Sequence, residues 1–389
     1  MSDSLINKGD IAQHAAAESI DRSAYLPATP WLQLMLVCCL FALWGMAGNL
    51  NDILIAQFKK GFDLSDTQTA LVQSIFFLGY FVMALPAAAV IKRYSYKVAI
   101  VIGLCLYALG CFLFIPAAQI MTYGAFLACL GVIATGLSFL ETSANTYSSL
   151  LGPLETSTQR INFSQIFNSL GIIFGVLIGQ QLVFGKNDPS HAELLQMPPA
   201  VAEAARTQMV SQVVTPYLII GSVLIVLALI FVAVKFPACK TQRSHQGAGK
   251  PLMQSLKILL ALPRFRLGVL SQFLYVGAQV GLWSFTIRFV QMIEQGATEH
   301  SATYWLLATL VCYSAGKVVT TALMKKFSPA RLLGVFCSVC VLLLLLAVNI
   351  QSLLAVVAIM GVNFCMALCW PTNFGLTIKG LGEETQVAG

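Results

Sequence analysis

Residues 31–58 read WLQLMLVCCLFALWGMAGNLNDILIAQF, an apolar run whose later part carries two amides and a carboxylate, Asn49-Leu50-Asn51-Asp52. A spanning helix needs about 20 apolar residues, which this run supplies. An ionised Asp near the bilayer centre costs roughly 2.5–3.5 kcal/mol on insertion scales. A chain that keeps Asp52 against that cost has a use for it.

The rest of the chain has the same character. It is 58% apolar and 10% charged, with a mean hydropathy of +0.79, whereas a soluble domain carries about 25% charged residues. The fold class is therefore an all-α polytopic membrane protein. Ten spans are expected, at approximately 30–58, 69–91, 98–119, 123–149, 160–184, 214–236, 266–290, 303–324, 332–350 and 352–378. No β-barrel alternation interrupts them. Pro86, Gly171, Gly175 and Pro371 fall inside spans, where they mark close packing or bends.

Lys and Arg placement orients the chain. Of 23 basic residues, 17 fall in segments that are cytoplasmic if the N-terminus is inside. Lys59, Lys60, Lys186 and Arg206 fall in outer segments, and Arg288 and Lys317 within spans. By the positive-inside rule the N-terminus is cytoplasmic and Asp52 lies in the outer part of its helix. The net charge of +7 reflects this distribution, since no basic face with interleaved aromatics exists for nucleic acid. Residues 1–29 form a polar cytoplasmic tail, not a signal peptide. A basic cytoplasmic linker, 237–265, separates a six-span half, 30–236, from a four-span half, 266–389. That is the layout of two-half secondary transporters. On a twelve-span plan the second half is two spans short, so the chain reads as C-terminally incomplete.

Other chemistries are poorly represented. His14, His191, His245 and His300 all lie in polar connections, and of eleven cysteines only Cys239 falls outside an apolar run. Cys337-x-x-Cys340 has redox-like spacing, but within the apolar stretch 335–346 it reads as a pair of small packing residues. No metal site, cofactor or nucleophile–base set is expected, and the protein is expected not to be an enzyme.

Of sixteen acidic residues, fourteen sit in tails or connections; the two others are Asp52 and Glu141. Hydrocarbon penalises the charged form of each, so either can take a proton from one side and release it when its surroundings change. Arg288, near the outer end of its span, snorkels to the interface. Lys317 is deeper; it either snorkels inward or pairs with Glu141 as a latch that protonation releases. The other polar groups in the spans are mostly amides: Asn49, Asn51, Gln73, Asn145, Gln165, Asn168, Gln272, Gln279 and Asn363. Amides donate and accept, which suits a solute rich in hydroxyls and poor in charge. Trp44, Trp283 and Trp370 offer faces on which sugar C–H groups stack. Gln73 and Gln272 read as helix glue.

Four motifs carry a resemblance. Asn49-Leu50-Asn51-Asp52-Ile53-Leu54, Leu140-Glu141-Thr142-Ser143-Ala144-Asn145, Ser164-Gln165-Ile166-Phe167-Asn168-Ser169 and Tyr275-Val276-Gly277-Ala278-Gln279 resemble the bacterial L-fucose–proton symporters. These belong to the fucose/galactose/glucose group of the major facilitator superfamily. The resemblance implies a twelve-span fold, ten spans of it present here, with a central cavity open alternately to each side. It implies that Asp52 and Glu141 are the two cavity carboxylates, that Asn49, Gln165 and Asn168 are cavity amides and that Trp283 is an aromatic beside them. Asn145, Gln279 and Trp370 join them as candidate sugar contacts. Gly48, Thr146 and Trp370 depart from the group's pattern near that cavity. The expected function is proton-coupled import of a neutral monosaccharide, L-fucose first, across a bacterial inner membrane by a monomer. The alternatives are a galactose/glucose or amino-sugar symporter of the same group, or a non-transporting truncated derivative.

Overall fold

The computed structural model describes residues 24–178, 191–239, 251–294, 299–350 and 352–389. Its elements are helical, and no strand occurs among the described residues. In chain order they are α1 (Trp31–Gly61), α2 (Asp66–Arg93), α3 (Tyr96–Phe112), α4 (Phe114–Ile120), α5 (Tyr123–Leu150) and α6 (Ser157–Ile178). There follow α7 (His191–Gln196), α8 (Pro199–Gln212), α9 (Val214–Ala233), α10 (Leu252–Ala261), α11 (Pro263–Ile293) and α12 (Glu299–Leu323). The last are α13 (Pro329–Asn349), α14 (Leu353–Met366), α15 (Cys369–Ile378) and α16 (Thr385–Ala388).

Among the described residues nine helical stretches are long and apolar enough to cross a membrane. The remaining expected span, 160–184, corresponds to α6, which is 22 residues long. It carries Gln159, Arg160, Asn162, Gln165 and Asn168; its expected end at 179–184 lies outside the described residues. Two spans show detail within them, although 353–378 remains one stretch long and apolar enough to cross a membrane and α9 begins at 214 as expected. The span expected at 352–378 is broken at Ala367-Leu368 into α14 and α15. The span expected to begin at 214 is preceded by α8, which continues almost directly into α9 through Val213.

Local chemistry sets the helix ends. Ser65 and Gln68 form a capping box at the start of α2, and Ser95 caps α3 by accepting from the Val98 N–H. At the end of α9, Lys97 Nζ donates to the Val232 and Val234 carbonyls at 2.9 Å each, where the helix dipole is negative.

The chain forms two compact units: residues 31–148 with 163–238, and residues 24–30, 149–162 and 239–389. In the first, α3 packs on α9, and α1 on α2 and α8. Phe114 stacks on Tyr217 with ring centroids 4.2 Å apart, and Tyr96 on Tyr147 at 5.0 Å. The Tyr147 hydroxyl donates to the Pro237 carbonyl at 2.7 Å and so holds the chain leaving α9. In the second unit α14 packs on α12 and α13, and α15 on α11.

Candidate functional site

In the first unit the candidate polar residues come from α1, α5 and α6. Asn145, 2% exposed, is one turn after Glu141 on α5. Its Nδ2 donates to the Glu141 carbonyl at 3.1 Å, and its Oδ1 accepts from Gln165 Nε2 at 3.3 Å. That contact brings two of the expected amides together and ties α5 to α6. One turn on from Gln165, Asn168 is half-buried, and its Nδ2 donates to the Phe41 carbonyl of α1 at 3.4 Å. The Glu141 carboxylate is also partly buried, and lies within electrostatic range of the Tyr80 phenol on α2. Among the described residues no Lys or Arg of this unit forms an ion pair with it. The backbone at Asn49, Asn51 and Asp52 continues α1, but their side chains lie outside the described residues.

The second unit holds the remaining candidates. Trp283 on α11 donates its indole N–H to Asn363 Oδ1 of α14 at 2.6 Å. Asn363 is fully buried, and its own amide donates to the Ile359 carbonyl at 2.9 Å. Tyr313 of α12 meets Trp283 edge to face at 5.4 Å, and Lys317 Nζ lies 4.8 Å from the Tyr313 ring centroid. Lys317 is 2% exposed, so this cation–π contact is made out of water, where such contacts are strongest. Gln279, also buried, lies near the Tyr313 hydroxyl. Trp370 on α15 stacks on Phe374 at 5.4 Å with ring planes 10° apart, which covers one of its faces. Glu141 and Lys317 belong to different units.

Two consequences follow for the chemistry. The Trp283 indole N–H is already used, so the ring can offer a bound molecule its face but no hydrogen bond. Tyr313 and Asn363 fix that ring from two directions, although the sequence reading passed over Tyr313 altogether. The signal was present: Tyr313 is four residues before Lys317, one turn away on the same helix face. Gln272, expected to be glue, bonds to Asn373 at 2.8 Å.

A further polar cluster, also missed, surrounds residues 149–162 of the second unit. Arg160, 5% exposed, donates to the Pro153 carbonyl at 2.8 Å and the Thr156 hydroxyl at 2.6 Å. It also donates to the Ser149 carbonyl. Gly152 sits at φ +151°, where a Cβ would run into Arg160 and Thr29. The turn so fixed presents Gln159, whose amide donates to the Thr321 carbonyl of α12 at 3.2 Å. It also presents Asn162, fully buried, which donates to the Thr372 hydroxyl of α15 at 3.1 Å. Beside them the Gly380 N–H donates to the Tyr25 hydroxyl at 3.2 Å. Asn162 is three residues before Gln165, and that spacing was the readable signal.

Among the described residues no three His, Cys, Asp or Glu side chains converge to hold a metal ion.

Comparison with known proteins places these features in context. The family model described as Major Facilitator Superfamily matches residues 27–389. The L-fucose-proton symporter of Escherichia coli (strain K12) is 36% identical over 375 residues, which is 96% of this chain and 86% of that protein. A glucose/galactose transporter of Brucella abortus biovar 1 (strain 9-941) is 33% identical over 355 residues, 89% of this chain and 80% of that protein. The crystal structure of the transporter FucP in the outward conformation matches with a TM-score of 0.84 at 38% identity, covering 92% of this chain and 86% of that one.

Proposed function

The chain belongs to the major facilitator superfamily, and on that premise we propose that it is a proton-coupled symporter importing a neutral monosaccharide, L-fucose, by alternating access. The observation that carries the reading is Glu141, set one turn from the Asn145–Gln165 amide pair in a chain similar over 96% of its length to an L-fucose-proton symporter. A lone membrane carboxylate beside amides fits a solute with hydroxyls and no charge. Asp52 takes a proton from outside, Glu141 couples it to the sugar, and Asn49, Asn145, Gln165, Asn168 and Gln279 supply hydrogen bonds. Trp283 and Trp370 supply stacking faces. No covalent step is involved, so the protein is a carrier and not an enzyme. It works as a multi-pass monomer of a bacterial inner membrane with its N-terminus in the cytoplasm.

The test is uptake of labelled L-fucose into membrane vesicles, with the external medium turning alkaline as sugar enters. Sugar entry without alkalinisation would remove the proton from the reading. The glucose/galactose alternative is favoured by the Brucella abortus relative. It wins if unlabelled galactose or glucose, and not L-fucose, competes for uptake.

Two further outcomes are expected. Because the Trp283 N–H is committed to Asn363, Trp283→Phe keeps the stacking face and should leave KM within about threefold, whereas Trp283→Ala should raise it roughly tenfold, near 1.4 kcal/mol. Equal effects of the two changes on KM would refute a stacking role. In the proposed cycle the bonds from Gln159 to Thr321, Asn162 to Thr372 and Gly380 to Tyr25 must break as the inner side opens. A buried hydrogen bond is worth about 1 kcal/mol, so Asn162→Ala should shift the balance toward inward-open by roughly fivefold. Thr372→Val should do the same, and the double change should add little, as labelling of cysteines introduced on the inner side would report. Fully additive effects would mean that the pair does not act as one closure.

A further inference from the structure

Cys337 and Cys369 form a thiol pair that the transport reading does not use. Cys337 is on the exposed side of α13, and Cys369 is the first residue of α15, directly after the break at Ala367-Leu368. Their sulfurs are 3.9 Å apart, within thiol–thiol hydrogen-bond range. Cys340, one turn on from Cys337 in α13, and Cys365, near the end of α14 before the break, lie together in a buried cluster with Val362 and Met366. The i, i+3 spacing read from sequence as packing thus places two sulfurs of α13 toward two sulfurs across the helix interface.

We propose that Cys337 and Cys369 are an oxidisable dithiol whose disulfide ties α15 to α13 and holds the break between α14 and α15 in one setting. A disulfide is about 2.05 Å long, so each sulfur must move by about 1 Å, which side-chain rotation supplies. Until oxidation the S–H of one cysteine donates to the sulfur of the other. The oxidant is a lipid-soluble quinone. Two S–H bonds break, one S–S bond forms, and two protons and two electrons pass to the quinone, giving the hydroquinone. Cys337 is the exposed member and meets the quinone first. The functional part of the proposal rests on the transport reading, because α15 carries Trp370 and Thr372.

The experiment treats the full chain in proteoliposomes with a fully ring-substituted benzoquinone, on which thiol addition cannot compete. Mass spectrometry should find the peptides containing residues 337 and 369 joined and lighter by two hydrogens. Amide exchange over residues 369–378 should slow, sugar uptake should be lost, and dithiothreitol should restore both. Cys337→Ser should transport normally and resist the quinone. Free thiols at 337 and 369 after treatment, or a bridge between 340 and 365 instead, overturns the site. A 337–369 bridge that changes neither exchange nor uptake overturns the lock. The bridge and the exchange are read without transport, so failure of the symport reading would show separately as untreated protein that binds no sugar.

Discussion

Vesicles carrying Asp52→Asn should equilibrate sugar across the membrane and accumulate none of it. One coupled charge at 100 mV is worth about 2.3 kcal/mol, which sustains a sugar ratio of roughly 50; the variant should fall to about 1. The substitution keeps the size and hydrogen-bonding reach of the side chain and removes its titrating oxygen, so folding should be preserved. The contrast to measure is exchange of labelled sugar at equal concentrations, which should continue, against accumulation under a pH gradient, which should stop. Accumulation that persists in Asp52→Asn would end the proton role of this residue.

Glu141 is expected to matter in a different way. Its carboxylate sits by the Tyr80 phenol, and its turn of helix anchors Asn145, which in turn holds Gln165. Glu141→Gln leaves the backbone carbonyl and so the Asn145 bond intact, and changes only the titrating group. The variant should still fold and lose accumulation while sugar binding changes. Unchanged binding and transport would leave Asp52 acting alone. If Lys317 is the partner that protonation of Glu141 releases, Lys317→Met should alter the pH at which transport is half-maximal, and a pH profile identical to the parent chain would exclude the pair.

What could be read from the residues divides along physical lines. Spans are set by hydrocarbon thickness and by the absence of charge, so nearly all their positions follow from composition along the chain. Asp52 and Glu141 stand out for the same reason: a rare and costly group is visible without any knowledge of its neighbours. The break at Ala367-Leu368 was legible in part: Pro371 has no N–H for the Ala367 carbonyl four residues earlier and its ring crowds that carbonyl, so it marked a bend in the span without placing the break. Asn363 was read only as one of the span amides and Tyr313 was passed over, because their part in holding the Trp283 ring is a property of packing between α11, α12 and α14. Arg160 was visible as a basic residue of an inner segment. Its three acceptors come from the chain around it, and a count of charges has no access to them.

Gly171→Val should cost the first unit its pairing of α1 with α6, and with it the position of the amides. The two helices approach through a reciprocal contact. A Cβ on Gly45 would run into the Asn168 carbonyl, and a Cβ on Gly171 would run into the Ala42 carbonyl. In both cases the obstacle is backbone, so no rotamer change can make room and the helices themselves must part. Overpacking in a close-packed interior costs about 1–3 kcal/mol even where side chains can adjust, and here the upper end or more is expected. Separation would also pull Asn168 from the Phe41 carbonyl, to which it is bonded at 3.4 Å. Glycine at this crossing therefore links membrane packing to the proposed sugar contacts, as small residues do where helices cannot rely on the hydrophobic effect to associate. Gly171→Ala should lower the melting temperature in detergent and raise KM, and Gly171→Val should abolish the monodisperse species. Leu170→Val, one position away on the exposed side of α6, should change neither. A Gly171→Val protein that melts and transports like the parent would show that α1 and α6 are not in close contact when the protein works.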